Sequence, residues 1–166
     1  MALVIRYSAG IASGVKSVGG PRDTTSTGVI QGITPINSLF DKVLKTENIT
    51  GSTEYRLIYI CNEDGYTVYN PRVKLISTPQ NTVISLGVLS KNIEPAVLGS
   101  ETSAPAAAFK TKDEINAMPS GYYNFPGTTQ LGPGEYAGIW IKREVKGSTG
   151  SGTITEEFVL EIEYQN

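Results

Sequence analysis

Side chains follow a clear period of two over residues 53–61, where Tyr55, Leu57, Tyr59 and Cys61 fall on one face and Glu54, Arg56, Ile58 and Ile60 on the other. A period of two with one dry face is the signature of a strand. Asp64 and Gly65 follow, a pair that supplies the positive φ of a tight turn. A second strand is predicted over about 67–77, interrupted at Asn70 and Pro71, which confines that point to an edge, a bulge or a short loop. Residues 83–89 form a compact apolar run that reads as a third strand. In 135–145, Ala137, Ile139 and Ile141 alternate with Tyr136, Gly138 and Trp140, a strand dry on both sides at its centre. Residues 147–152 predict a hairpin loop leading to the cleanest amphipathic strand, in which Phe158, Leu160, Ile162 and Tyr164 alternate with Glu157, Val159, Glu161 and Glu163.

Residues 1–36 read differently, being rich in Gly, Ser and Thr with single apolar residues between them. They predict an extended N-terminal arm attached to a domain spanning 37–166. Such an arm is either disordered or ordered on another subunit, where strand addition supplies its hydrogen bonds. Leu3, Val4 and Ile5 would then pair as a strand, and Val15, Val18, Val29, Ile30 and Ile33 would seat in shallow pockets. Wrapping back onto its own domain is the competing arrangement. After Ser38, the residues Leu39, Phe40, Val43 and Leu44 fit one apolar face of a short helical turn capped by Ser38, and the element type there stays open. Prolines and glycines break up 93–130, but Thr111 and Glu114 match a capping box and predict one helical turn over 112–118, stopped by Pro119. Tyr122, Tyr123 and Phe125 lie in that stretch and mark a contact surface or a satellite core.

Several short strands with closely spaced turn signals describe an all-β chain, an immunoglobulin-like β-sandwich with at most one short helix. Barrel or jelly-roll closure is the competing architecture. Composition agrees: of 166 residues, 18 are Gly and 9 Pro, and only 18% are charged, which favours turns and strands over helices.

Charge and chemistry narrow the function. The net charge is −2 and the pI about 5.2, with no basic stripe for phosphates, so nucleic acid is not an expected partner. The N-terminal apolar run is too short for a signal or a membrane span. There is no histidine and one cysteine, Cys61, so the commonest general base and zinc ligand are missing and no intramolecular disulfide forms. Cys61 is expected to be a small buried hydrophobe. The acidic pairs Glu63 with Asp64, Asp113 with Glu114 and Glu156 with Glu157 are adjacent in sequence, and adjacent strand residues point to opposite faces. No catalytic residue, metal or cofactor is expected, and the chain is read as non-enzymatic. Nine tyrosines and one tryptophan suit a binding surface. Tyr55, Tyr59, Trp140 and Tyr164 sit at alternating strand positions and are assigned to the core. Tyr66, Tyr69, Tyr122, Tyr123 and Phe125 are the interface candidates.

The order of Leu39, Phe40 and Asp41, then Gly51 with Thr53, Glu54, Tyr55 and Arg56, then Tyr59, Ile60 and Asn62, resembles small immunoglobulin-like virion proteins of tailed bacteriophages. Further echoes are Ser103, Ala104 and Pro105 with Phe109, Leu131 to Gly134, and Gly138 to Arg143. The departure at Leu57, where such proteins often carry cysteine, bears on packing alone. The resemblance implies a virion location, with the major capsid protein and copies of the same chain as partners in a homo-oligomer or lattice. It points to a capsid decoration or cement protein that ties capsomers together through domain and arm. A neck, tail or baseplate subunit and a host-surface glycan-binding adhesin module are the alternatives.

Overall fold

A computed structural model describes residues 3–30, 39–40, 43–147 and 157–166. In chain order the elements are β1 (Leu3–Tyr7), β2 (Ile11–Ala12), β3 (Val15–Lys16), a 3-10 turn (Ser26–Gly28), β4 (Val29–Ile30), α1 (Lys45–Thr50), β5 (Ser52–Asn62), β6 (Val68–Ser77), β7 (Thr82–Lys91), β8 (Lys110–Thr111), α2 (Lys112–Asn116), β9 (Tyr123–Asn124), β10 (Gln130–Leu131), β11 (Tyr136–Val145) and β12 (Val159–Gln165). They build an all-β sandwich of antiparallel sheets. One sheet has the order β4-β1-β5-β11-β7-β8, and the other places β10 and β9 on one side of β6 and β12 on the other. β2 and β3 make a separate small hairpin.

The main core lies between the sheets. Ile58, Ile60, Leu86, Ala137, Ile139 and Ile141 face Val68, Val73, Leu75 and Leu131, and all are buried. In β6 the inward positions change phase, because Val68 and Val73 are five residues apart and an unbroken strand would point them to opposite faces. Asn70, at φ 49°, absorbs the extra residue, a bulge that returns Val73 and Leu75 to the core. At one end the core turns polar. Arg56 is 1% exposed, donates from Nε to the Leu39 carbonyl at 2.9 Å and pairs with Glu101, while Arg143 pairs with Glu54, and both guanidinium groups lie over the Phe40 ring.

The strand β5 is dry on both faces. Its second face carries Tyr55, Leu57, Tyr59 and Cys61, which pack with Trp140, Leu98, Ala107 and Phe109 into a second apolar layer outside the six-stranded sheet. Irregular chain covers that layer from two directions. Leu57 N–H donates to the Ser17 carbonyl at 2.7 Å, Tyr55 N–H to Glu101 at 2.8 Å and Leu98 N–H to Val18 at 2.8 Å. The Tyr59 hydroxyl donates to the Gly20 carbonyl at 2.5 Å.

These contacts place residues 3–30 on their own domain, the arrangement that competed with an arm seated on another subunit. β1 pairs with β5 from Leu3 opposite Asn62 to Tyr7 opposite Ile58, and β4 extends the same sheet. The N-terminal segment is therefore part of its own domain. Leu3, Val18 and Ile30 are buried there, Ile5 packs on the main core, and Val4, Val15 and Val29 are half-buried. Ile33 lies outside the described residues. Two glycines of this segment are sites of close backbone approach: a Cβ on Gly10 would collide with the Gly19 carbonyl, and one on Gly19 with that of Ala96.

Two further expectations are corrected. The last two strands do not form a hairpin, since β11 sits in the six-stranded sheet and β12 pairs with β6 in the other; residues 148–156 lie outside the described part. There are two short helices among the described residues, not one. α2 has its capping box, with Glu114 N–H donating to Thr111 Oγ1 at 3.3 Å and Thr111 N–H to the Glu114 carboxylate at 2.7 Å. α1 starts just past the 39–44 stretch, where the Glu47 carboxylate accepts from Leu44 N–H at 2.6 Å.

Candidate interaction surface

The turn between β5 and β6 is built on Asn62, which is fully buried. Its Nδ2 donates to the Tyr66 carbonyl at 2.7 Å and to the Leu131 carbonyl at 2.8 Å, and its Oδ1 accepts from Asp64 N–H at 3.1 Å. One side chain thus satisfies three backbone groups and fixes the turn. Tyr66 rides on it with 81% of its surface exposed, and Tyr69, at 45%, lies at the start of β6 nearby. A large apolar ring held out on a pinned turn loses little entropy when it is buried by a partner.

Beside the turn, Arg6 spans toward Glu63, with Nη2 at 3.1 Å from Oε2, and donates from Nη1 to the Asp23 and Thr25 carbonyls at 2.9 and 3.0 Å. The hydrogen bonds from Arg6 hold the Glu63 carboxyl below its usual range. Arg22 lies 4.0 Å from the centre of the Tyr136 ring and 3.7 Å from Glu94. These arginines line a cleft of about 400 Å³, but both are engaged with the protein's own acceptors.

The outer face of the second sheet carries a lattice of charge around Tyr122. Arg72 pairs twice with Glu163, at 2.9 and 3.2 Å, and Lys74 lies 3.4 Å from Glu161. The Tyr122 hydroxyl donates to Glu161 at 2.6 Å, and both Arg72 and Lys74 sit 4.4 Å from its ring centre. Hydrogen bonding from Tyr122 lowers the Glu161 pKa and that from Arg72 lowers Glu163. Above this lattice, at the Asn70 bulge, a groove of about 370 Å³ opens between the 120–129 loop and the end of β12.

Of the interface candidates in loops, Tyr66 and Tyr69 are exposed as expected. Tyr122 is half-buried under its cations. Tyr123 donates from its hydroxyl to the Ala108 carbonyl at 2.6 Å and packs on the core, and its burial raises its pKa. Phe125 is 2% exposed and is a core residue, not a contact; the loop folds over it, with Thr128 N–H bonded to its carbonyl at 3.1 Å. The groove was not anticipated, although the Asn-Pro break in β6 was its one sequence signal. Tyr55, Tyr59, Trp140 and Cys61 are buried as assigned, and burial pushes the Cys61 thiol up to about 12. Among the described residues no group of three or more His, Cys, Asp or Glu is placed to hold a metal ion, and no helix is long and apolar enough to cross a membrane. Comparison with family models, curated proteins and solved structures returned no match to this chain.

Proposed function

We propose that this chain is a non-enzymatic structural subunit of a tailed-phage virion, an immunoglobulin-like sandwich that decorates the capsid and docks through its domain surface. The observation that carries a docking role is Tyr66, an 81% exposed ring on a turn pinned by a buried asparagine. Rigid aromatic anchors of this kind dominate the energetics of many protein interfaces. The resemblance of the 39–62 region to virion proteins supports the particle as the place. The partners would be the major capsid protein and neighbouring copies, and the tethering arm has no part in the mechanism, because residues 3–30 are held in their own sheet.

Quantitative mass spectrometry of purified virions tests the reading. A fixed, high ratio to the major capsid protein supports decoration, and loss of that occupancy in Tyr66→Ala assigns the turn to the contact. A few copies per particle would move the chain to the neck, tail or baseplate. Absence from particles would overturn the proposal.

A further inference from the structure

The groove at the Asn70 bulge has the chemistry of a site for an uncharged polyhydroxylated ligand, and we infer that it binds a neutral glycan. Its polar lining is made of amides and hydroxyls: Asn70, Asn124 and Gln165 with Ser120 and Thr129. Only two charged residues contribute, Arg72 and Glu163, and they neutralise one another through two hydrogen bonds. An anion or a cation entering the groove would have to compete with that pair. A ligand with hydroxyl groups would not.

The amides are also oriented. Asn70 Nδ2 donates to Gln165 Oε1 at 2.9 Å, which uses one donor and one acceptor of the pair. The Asn70 oxygen and the Gln165 nitrogen remain as one acceptor and one donor for a ligand. One acceptor and one donor suit a hydroxylated ligand, since each hydroxyl both gives and takes a hydrogen bond. The backbone holds Asn70 in place: its φ is 49°, its N–H donates to the Thr129 carbonyl at 2.8 Å, and Pro71 follows, buried. The half-buried Tyr164, which packs on the main core, also borders the groove and adds apolar surface to its lining. At about 370 Å³ the groove falls at the small end of ligand sites, about 300–1,000 Å³, enough for a short saccharide. Binding here is independent of the virion reading, since head occupancy and sugar contact are separate measurements.

Saturation-transfer NMR on the full chain, with methyl glycosides of glucose, galactose, mannose, N-acetylglucosamine and N-acetylgalactosamine and their common disaccharides as probes, tests the inference. At least one neutral sugar is expected to receive saturation, and the transfer is expected to be lost in Asn70→Gly and in Gln165→Ala. Glycine keeps the positive φ while removing the amide, and an unchanged melting temperature confirms that each variant is folded. Absence of transfer to every probe would overturn the inference. So would transfer that persists in both variants.

Discussion

Replacing Val18 by alanine removes two methyl groups from a side chain with no exposed surface. Val18 sits in the N-terminal segment, where its N–H bonds the Gly10 carbonyl and its own carbonyl accepts from Leu98. Each buried methyl is worth about 0.8 kcal/mol, so the transfer loss is about 1.6 kcal/mol. A residual cavity raises the total to roughly 2 kcal/mol. For a chain of this size, about 2–4 °C per kcal/mol converts that into a fall in Tm of about 4–8 °C. Trp140, the single tryptophan and 1% exposed, reports unfolding from within the outer apolar layer, so urea titration followed by its fluorescence measures the change directly. The midpoint should fall with the slope unchanged. Were residues 1–36 a detached arm, Val18 would behave as a surface position, within about 0.5 kcal/mol of wild type. A midpoint indistinguishable from wild type would refute the placement of the N-terminal segment on its own sheet.

Arg143→Met leaves the Glu54 carboxylate buried without its partner and should cost about 3–5 kcal/mol at neutral pH. Burial already raises the Glu54 pKa, so protonation relieves the penalty, and the difference from wild type should shrink in denaturant titrations as the pH is lowered toward 4.5 and below. Glu63, Glu135, Glu161, Glu163 and Asp23 have lowered pKa values. The stability they supply is complete above their unfolded values of 4.5 or 3.8 and is lost as the pH falls through the lower folded values. Calorimetry should show Tm level down to about pH 5 and declining below it, with salt softening the exposed contributions; a Tm that rises on acidification would contradict this. Cys61, 3% exposed with its thiol raised to about 12, should not react with a disulfide reagent at neutral pH until denaturant is added, and rapid labelling of the native protein would show that the outer layer opens.

What the sequence disclosed and what it hid follow from the same physics. Alternation located β5, β11 and β12, and a compact apolar run located β7, to within a residue or two, because each of these strands has at least one face packed on apolar neighbours. The Thr111 and Glu114 box located α2, since capping is a local interaction. The N-terminal segment was misread because its order comes from backbone contacts. Gly10, Gly19 and Gly20 let chain approach chain, with Gly20 N–H bonding the Pro95 carbonyl at 2.7 Å, and a glycine-rich run of that kind looks the same on paper as a flexible linker. Pairing between distant strands leaves no period either. The strand after residue 157 was found, yet its partner was mistaken, because adjacency in sequence favours a hairpin and only the second sheet's need for a strand beside β6 decides otherwise. Tyr66 was legible as a candidate from the turn that carries it. The groove was not, since Asn70, Asn124 and Gln165 come from three separate strands.

The register of β1 and β12 fixes where the two ends of the described chain emerge. Leu3 stands opposite Asn62, and Gln165 stands opposite Tyr69, so both ends lie at the edge of the sandwich that holds the Tyr66 turn, and Gln165 itself lines the groove. An affinity tag, fluorophore or fusion partner appended at either terminus would crowd the region it is meant to probe. Immobilising the protein by a terminus would turn that region toward the sensor surface and produce a false negative. Labels belong at the opposite pole, for example on the exposed side of α1 near Lys45, where they leave the turn and groove open to solvent.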